Sequence, residues 1–461
     1  MRLVTLGVLL WASQALATVY DTFGFGPRAA AMGGAMTAEA RDFTAVSYNP
    51  ALLVERKDVD FGFSFQFNRM ANDKTGADAA TDPATDLARP LCPSIATIGP
   101  DGKAVSAPNP RCADLNASDT VGYSLGLLFP LGGKVRNRVA LGLGIYIPSQ
   151  RLLRVLAPDT STPFWYHFQS HSERIVIHVG LGVKIFDWLT VGLGAQALAD
   201  LIGLGANVDV DLFNKTVTSG SIDSHLATRV SPVIGIQVHP IERLRFGVTY
   251  RAEMSLHYHI PAKVNLQGIG TLSFSIDGDT HYTPHTVAFG AAWDITRDFT
   301  VALDGEWQHW SAAPSPYVDL TIGLSGDTLK ALGLDNAFDI NSPHQKPGFI
   351  DTVGARLGLE YRLTERFSAR AGGFFRPTMV PKQTAPGSNI LDADTVGVSV
   401  GVGFNFPDPL EIFASPINID VATQAQVLLP REAIKEPTDP VPSYSYSAKV
   451  YGATIAIRYD F

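Results

Sequence analysis

The chain has 461 residues, and 36 Lys and Arg against 44 Asp and Glu give a net charge of −8 at pH 7, which argues against a basic nucleic-acid-binding surface. Charged residues make up 17% of the chain, against about 25% in a typical soluble domain, so the composition excludes a chain that is disordered through high charge. Beyond the N-terminus, no apolar run reaches the roughly 18–20 residues that a membrane helix needs, which excludes a helical membrane protein.

The N-terminus has the pattern of a secretory signal peptide. Arg2 precedes an apolar stretch over residues 3–12, and the small-residue pattern Ala15-Leu16-Ala17 follows. The apolar stretch is too short to span a bilayer, and no stop-transfer segment comes after it. We therefore expect residues 1–17 to be removed after export; an ordinary N-terminal helix is the alternative.

Residues 18–58 do not alternate between apolar and polar side chains. The run over residues 28–35 is rich in Ala and contains Gly33 and Gly34, and Asn49-Pro50-Ala51 lies shortly before the first predicted strand. Small helix formers ended by Gly, followed by Asn-Pro, are typical of short helices and tight turns.

From residue 59 onward, apolar residues recur with period two, which is typical of strands with one apolar and one polar face. The pattern predicts strands near residues 59–69, 120–130, 138–150, 173–186, 189–211, 226–239, 243–262, 282–295, 298–310, 351–363, 366–380, 390–406, 416–430 and 447–461. This is about fourteen strands, and closed bacterial outer-membrane barrels have an even number. We therefore predict an all-β fold, an antiparallel transmembrane β-barrel over residues 59–461.

The predicted connections alternate between short and long. Short ones lie near residues 187–188, 241–242, 296–297 and 364–365, and long ones near residues 70–119, 262–281 and 311–350. Outer-membrane barrels alternate short periplasmic turns with long external loops, whereas a soluble β-sandwich, the alternative with the same period, does not need this alternation.

The last predicted strand ends at Phe461. A terminal Phe after an amphipathic strand resembles the feature that the outer-membrane barrel assembly machinery recognises. We therefore expect that machinery as a partner and the bacterial outer membrane as the location.

Cys92 and Cys112 are the two cysteines of the chain, and both lie in the first long predicted loop. In an exported protein, two cysteines in one loop predict a disulfide, with two free thiols as the alternative.

Two segments match the G-x-S-x-G pattern of esterases, one around Ser124 and one around Ser399. The chemistry needs a sharp turn from a strand into a helix. Pro130 follows the first match closely, and the second match continues with period two, so neither begins the required helix. We therefore predict no catalytic residue and no enzyme activity.

His257 and His259 lie at strand spacing on one face, with His281 and His285 downstream. These residues are of a type that binds metals. Solvated histidines at the edge of a loop are the alternative that we favour, so we predict no metal and no cofactor.

Charges of both signs lie on the polar faces of neighbouring predicted strands in the second half of the chain. They are Arg245, Arg251, Glu253, Asp304, Glu306, Arg356, Glu360, Arg362, Arg370 and Arg376. Enclosed charges need partners, so we expect ion pairs between neighbouring strands inside the barrel; a charged substrate path is the alternative.

The segment before the first strand resembles that of the FadL/TodX family of outer-membrane transporters for long-chain fatty acids and other hydrophobic molecules. The similarity rests on the Gly and Ala-rich run 28–35, the acidic and small stretch 39–42 and Asn49-Pro50-Ala51. The resemblance implies a barrel plugged by an N-terminal hatch over residues 18–58. The hatch and gating residues would be Gly33, Gly34, Asn49, Pro50 and Ala51.

The resemblance also implies a path in which ligand is captured outside, passed to a lumenal pocket and released sideways through an inward kink in the third strand. That strand contains Gly142, Gly144 and Pro148. Because Pro cannot donate to a strand ladder, we expect a local loss of pairing there. Tyr20 and Phe23 would reach into the lumen beside the ligand, and the turn at Asn49 would lie near this strand.

Phe164, Trp165, Tyr166 and Phe168 form an aromatic run in the next predicted external loop. An exposed apolar patch there would offer hydrophobic molecules an external capture surface. An aromatic girdle at the membrane interface is the alternative.

A plugged barrel argues against a general diffusion porin, because a hydrocarbon gains nothing from a water-filled pore. We predict an outer-membrane channel for the uptake of hydrophobic small molecules, either long-chain fatty acids or hydrocarbons. We expect a monomer among outer-membrane lipid and lipopolysaccharide, with no nucleic-acid partner. The alternatives are a lipid-modifying enzyme, for which no nucleophile and base are evident, and a structural or adhesive barrel, whose external loops would dominate its mass.

Overall fold

The computed structural model describes residues 22–72, 95–98, 104–107, 119–149, 163–169, 174–211, 216–266, 269–333, 340–341, 346–381, 388–408, 415–434 and 444–461. The predicted signal peptide, Tyr20, Cys92 and Cys112 lie outside these ranges.

The fold is a closed antiparallel barrel of fourteen strands. The strands are β1 (Asp60–Asn72), β2 (Thr120–Pro130), β3 (Val139–Pro148), β4 (Val176–Phe186), β5 (Leu189–Asp211), β6 (Thr216–Ile241), β7 (Leu244–Arg251), β8 (Thr286–Asp294), β9 (Phe299–Gln308), β10 (Thr352–Arg362), β11 (Phe367–Arg376), β12 (Thr395–Phe406), β13 (Ile417–Ala433) and β14 (Tyr444–Asp460). Each strand pairs with its neighbours in this order. β14 pairs with β1 over the whole length of β1, which closes the barrel. Closure leaves no unpaired edge in the membrane.

The predicted number of strands is confirmed, and two strands, β2 and β5, have the predicted bounds. The largest difference concerns the predicted strand 243–262. The structure interrupts it at Ala252 and Glu253, so that β7 ends at Arg251 and a separate strand begins at Met254.

Four further strands extend the barrel on its external side. They are Met254–Leu266, Gly270–Thr283, Asp319–Ser325 and Ile340–Asn341. The first pairs antiparallel with the second and in parallel with residues 206–210 of β5. The predicted long connections over residues 262–281 and 311–350 therefore contain strands, whereas residues 254–261 lie in a strand as predicted. β5 has 23 residues, whereas about 9–11 cross a bilayer, so its outer part offers an edge to which the extra strand pairs.

Each barrel strand has one apolar, exposed face and one polar, buried face. On β1, Phe61 and Phe63 are exposed, whereas Ser64 and Gln66 are buried. In a membrane barrel the exposed apolar face contacts lipid and the polar face lines the lumen. The period-two pattern of the sequence therefore corresponds to the two sides of the barrel wall.

The remaining elements are short. The helices are α1 (Pro27–Ala31), α2 (Ala45–Tyr48), α3 (Tyr166–Gln169) and α4 (Asp327–Ala331), and the 3-10 helices are Pro50–Glu55, Gly133–Val135 and Trp310–Ala312. Ile95–Ile98 pairs with Ala104–Ala107, and Phe164–Trp165 pairs in parallel with Ile390–Leu391. Within the described ranges, no helix is both long and apolar enough to cross a membrane.

Candidate functional site

The N-terminal segment, residues 22–59, packs against the inner faces of the strands. Nearly all its residues up to position 54 are buried. Phe25, Phe43 and Leu53 are among the largest fully buried side chains of the described residues. The Gln424 side chain of β13 also donates a hydrogen bond to the Phe23 carbonyl oxygen at 3.0 Å. The segment therefore occupies much of the lumen.

Glycines on the inner faces of the strands make room for this segment. A Cβ atom added at Gly142 would lie 2.6 Å from Leu53 Cδ2, and one added at Gly182 would lie 2.8 Å from the Pro50 carbonyl oxygen. A Cβ would also come within 3.1 Å of the segment at Gly62, Gly126, Gly144, Gly180, Gly192, Gly235, Gly247, Gly290, Gly358, Gly372 and Gly401. We call these thirteen residues the wall glycines. The sequence analysis missed their role, although glycines recurring on the polar strand faces were visible in the sequence.

Gly33 and Gly34, two of the predicted gating residues, have φ angles of +62° and +77°. Glycine adopts this left-handed region without strain. Gly33 also approaches β11 closely, since a Cβ there would lie 2.7 Å from the backbone nitrogen of Gly373. Its own N–H donates to Ser399 Oγ at 3.1 Å, and Ser399 Oγ donates to the Ala31 carbonyl oxygen at 2.9 Å. Ser399, from the second esterase-like match, thus anchors the segment.

Asn49-Pro50-Ala51 forms a tight turn that begins the 3-10 helix. Asn49 Oδ1 accepts from the Ala51 N–H at 3.0 Å, and its Nδ2 donates to the carbonyl oxygens of Thr37 at 2.8 Å and Ile236 at 3.2 Å. The turn faces Gly192 of β5 and Gly235 of β6, so our expectation that it lies near the third strand was wrong. The wall glycines continue from β3 to β6, and the 3-10 helix after the turn also contacts β3, where Leu53 lies against Gly142.

Ion pairs tie the N-terminal segment to the barrel wall. Glu39 accepts from Arg28 at 2.8 Å, Arg41 at 3.0 Å and Arg245 of β7 at 2.5 Å. Arg28 also pairs with Glu360 of β10 at 3.0 Å. Because Glu39 and Arg28 are buried, these pairs are shielded from water and salt.

The same network continues around the wall. Glu360 pairs with Arg370 at 2.6 Å, Arg370 with Asp420 at 2.5 Å, and Asp420 with Arg458 at 3.0 Å. Arg458 lies 3.4 Å from Asp60 of β1. The expected ion pairs between neighbouring strands are therefore present at Glu360. The partners Arg28, Glu39 and Asp420 were missed, because they lie far away in the sequence.

A cavity of about 1500 Å³, counting the part open to solvent, lies between the N-terminal segment and strands β7–β11. Its charged lining residues are Arg251, Asp304, Glu306, Arg356 and Arg376, and its aromatic ones are Phe23, Tyr48, Tyr282, Trp310, Phe374 and Phe375. Glu306 and Arg356 pair at 3.2 Å. Phe23, predicted on the substrate path, thus lines a cavity that is apolar on some sides and charged on others.

Phe164, Trp165, Tyr166 and Phe168, predicted as an exposed capture surface, are at most 5% exposed. The prediction of exposure was therefore wrong. The reason is that Phe164–Trp165 pairs in parallel with Ile390–Leu391. This pairing packs the run against a second external segment. Two residues of the run belong to a buried group that we call the external aromatic cluster. Its members are Phe164, Tyr166, Tyr282, Trp310, Tyr317 and Phe349.

Aromatic contacts lead from this external region to the N-terminal segment. Trp165 packs edge-on against Tyr446 at a ring-centroid distance of 5.5 Å and against Phe168 at 6.4 Å. Phe168 in turn contacts Phe23 at 6.3 Å. The guanidinium of Arg376 lies 5.8 Å from the Phe168 ring centroid, which places a cation where the aromatic contacts meet the cavity.

Arg431 of β13 holds external residues in place above the lumen. Its guanidinium donates to the carbonyl oxygens of Val380 at 2.5 Å, Pro381 at 2.7 Å and Asp392 at 3.1 Å. The Asp392 carboxylate accepts from the Met379 N–H at 3.0 Å. Two external segments are thereby joined to one strand.

Burial shifts the pKa values of two side chains in these external segments, Asp392 and His167. Burial raises the pKa of Asp392, although Arg376 and the Met379 N–H favour its charged form. Burial, together with the charge of Arg376, lowers the pKa of His167 well below its usual value. His167 Nε2 lies 3.8 Å from Asp392 Oδ1. A neutral His167 therefore lines the cavity.

The third strand is paired along both edges. Its register with β4 runs from Val139 to Tyr146, and its register with β2 extends to Pro148 at the outer end, both without a shift. The expected loss of pairing is therefore not found along this stretch. Gly142 and Gly144 instead face the N-terminal segment. Because glycine has a backbone N–H, Gly142 and Gly144 keep their place in the strand ladder. What they lack is a side chain, and this leaves space on the inner side of β3.

A closed barrel with an apolar outer face, a lumen holding the N-terminal segment and a cavity beside that segment define an outer-membrane transport channel, not an enzyme. The chain belongs to the family described as outer membrane protein transport protein (OMPP1/FadL/TodX), which it matches over residues 8–461. Among curated proteins, it is similar to alkane uptake protein A of Marinobacter nauticus, with 27% identity over 161 residues. That match covers 35% of this chain and 32% of the relative, about a third of the relative's length.

Solved structures of low sequence identity share the fold. A FadL homologue of Pseudomonas aeruginosa is 16% identical with a TM-score of 0.58, over 97% of this chain and 98% of that chain. The toluene transporter TodX of P. putida is 13% identical with a TM-score of 0.54, over 95% and 99%. The toluene transporter TbuX of Ralstonia pickettii is 15% identical with a TM-score of 0.53, over 96% and 100%.

Proposed function

We propose that this protein takes up hydrophobic small molecules, either long-chain fatty acids or hydrocarbons, across the outer membrane. The observation that carries the proposal is the series of aromatic contacts from Tyr446 of β14 through Trp165 and Phe168 to Phe23, which lines the cavity. An apolar molecule that moves along such side chains avoids the cost of entering water. A barrel that passed polar solutes would have no use for this series.

In this proposal the cargo enters the cavity from the external side, where Tyr282 and Trp310 of the external aromatic cluster line it, and comes to lie beside Phe23. The cargo then leaves sideways into the membrane at β3, after the N-terminal segment moves away from Gly142 and Gly144. These glycines support the exit because they have no side chains, so that only the N-terminal segment fills the space on the inner side of β3. Movement of the segment would leave that space open. Gly33, Gly34 and Asn49-Pro50-Ala51 would act as the gating turns.

The cavity favours a cargo with a polar end. Arg251, Arg356 and Arg376 line it together with aromatic side chains. A guanidinium forms strong charge-assisted hydrogen bonds to a carboxylate, and the rings of Phe374 and Phe375, which line the same cavity, can contact an alkyl chain. Among the two cargo classes, this lining supports a long-chain fatty acid over a hydrocarbon.

The test compares a radiolabelled long-chain fatty acid with an alkane of the same chain length in a deletion strain carrying the gene or an empty vector. We expect uptake of the fatty acid only with the gene, and a several-fold loss of this uptake in Arg376→Gln, with the alkane unaffected. Arg366→Gln, an arginine in a turn, is the matched control. Equal uptake with and without the gene would refute the proposal, and alkane uptake alone would move the cargo to hydrocarbons.

A further inference from the structure

The external strands carry two histidine–aspartate pairs that the uptake function does not use. Along Met254–Leu266 the side chains alternate: Leu256 and Tyr258 are buried, whereas His257 and His259 are exposed. His257 and His259 are 57% and 55% exposed and therefore lie side by side on the outer surface. Residues i and i+2 of a strand are about 6.6 Å apart along it.

Each histidine faces a carboxylate on the neighbouring strand. His257 lies opposite Asp279, and His259 lies opposite Asp277. His257 Nδ1 is 3.5 Å from Asp279, and His259 Nδ1 contacts Asp277 directly. In both rings it is therefore Nδ1 that faces the carboxylate, while Nε2 is directed away from it.

A shift in strand register creates this arrangement. Leu256 pairs with His281, but the next residue, His257, pairs with Asp279, so one residue of the second strand is skipped. The shift places both aspartates opposite both histidines and leaves His281 buried. Such bulges re-aim side chains and occur often beside functional sites.

In place of the solvated histidines expected from the sequence, we propose that His257 and His259 form a surface site for a divalent transition-metal cation such as Zn²⁺. Histidines that bind metals usually donate their other ring N–H to a carboxylate, which fixes the tautomer and the ring orientation. Asp277 and Asp279 provide this support to both rings. Two imidazoles at strand spacing provide two nitrogen ligands for one ion, at about 2.0–2.1 Å each.

Within the part of the chain that the structure describes, no three His, Cys, Asp or Glu side chains form a group that could hold a metal ion. The site therefore offers two protein ligands and leaves its remaining positions to water. Asp319 lies opposite Asp277 on the third external strand. Three carboxylates near the two rings favour a cation over an anion at this surface.

The experiment is calorimetric titration of the metal-free, full-length protein in detergent with ZnCl₂. We expect one Zn²⁺ per chain, no detectable binding by the double variant His257→Ala and His259→Ala, and at least tenfold weaker binding by Asp277→Asn. His285→Ala is the matched control, since His285 contacts Tyr250 outside this face. Heat-modifiable gel mobility verifies that each variant is folded.

A second readout identifies the ligands. The electron paramagnetic resonance spectrum of the protein with one equivalent of CuCl₂ should show two nitrogen ligands in the wild type and none in the double variant. Zn²⁺ binding that persists in the folded double variant, or its absence from the wild type, would overturn the proposal. Neither result bears on uptake.

Discussion

Glu39 shows how a single buried carboxylate holds the N-terminal segment against the wall. It accepts from Arg28 and Arg41 of the same segment and from Arg245 of β7, and its side chain is 1% exposed. A buried ion pair adds little net stability, but removing one partner leaves the others with less compensation. Without Glu39, Arg28 would keep its ion pair with Glu360. Arg41 and Arg245 would share Asp294. The sequence analysis predicted enclosed ion pairs from charges on strand faces. Glu39 could not be assigned to them from the sequence, because its partner on the wall, Arg245, is 206 positions away.

We expect Glu39→Gln to destabilise the barrel by about 3–5 kcal/mol, as for other buried pairs that lose one partner. The amide keeps the volume and removes the charge that compensates three guanidinium groups. The measurement is the temperature at which heat-modifiable gel mobility changes. Glu365→Gln, the same substitution in an exposed turn, should leave that temperature unchanged. An equal transition temperature for both variants would contradict the role given to Glu39.

The strands show which features of the elements a sequence can predict. Period two located all fourteen barrel strands, because each must expose apolar residues to lipid and polar residues to the lumen. It did not reveal the external sheet, which depends on the outer edge of β5. It also failed for Phe164, Trp165, Tyr166 and Phe168, because their burial depends on pairing with Ile390–Leu391, far away in the sequence.

The same limit applies to the candidate site. The Gly and Ala-rich run and the Asn49-Pro50-Ala51 turn were visible as motifs, and the turn makes the side-chain hydrogen bonds of a cap. Their docking positions were not visible, since the wall glycines come from eleven different strands. A glycine facing a neighbouring backbone and a glycine facing water look alike in one sequence.

Gly142 of β3 provides the element-scale test. We expect Gly142→Val to abolish or strongly reduce hydrophobic uptake, because its Cβ would lie 2.6 Å from Leu53 Cδ2 and the valine side chain would fill the space at β3 through which the cargo leaves. The measurement is fatty-acid uptake at equal amounts of folded protein. Gly305→Val in β9 is the matched control, since a Cβ there meets nothing within 4 Å. Normal uptake by Gly142→Val would show that the fit at β3 is unimportant.

For the whole molecule, backbone hydrogen bonds at Phe461 extend the pairing that closes the barrel between β1 and β14. Val59 and Phe461 exchange two backbone hydrogen bonds at 3.2 and 2.9 Å, and the exposed Phe461 ring stacks near Tyr459 at 6.5 Å. These backbone bonds do not need the Phe side chain. Recognition of this exposed ring by the assembly machinery stays a prediction.

We expect Phe461→Asp to leave export intact but to lower the amount of folded barrel in the outer membrane several-fold. Phe406→Asp, an aromatic residue at the same end of β12, is the control and should have a smaller effect. Fractionation and heat-modifiable mobility measure both. Equal yields of the two variants would mean that Phe461 acts only as an ordinary interface aromatic.

The central claim is that the N-terminal segment must leave the wall for cargo to pass. Cysteines introduced by Val46→Cys and Gly142→Cys would join the segment to β3. The Cβ positions are 3.0 Å apart, slightly less than the 3.5–4.5 Å usual for a disulfide, and Cys is smaller than the Val46 that it replaces, which leaves room for the new side chain.

The decisive measurement is fatty-acid uptake by cells carrying this double variant, before and after reduction with dithiothreitol. The account predicts little or no uptake in the oxidised form and recovery to near the wild-type rate on reduction, with unchanged barrel folding in both. Wild-type uptake by fully oxidised, folded protein would contradict it.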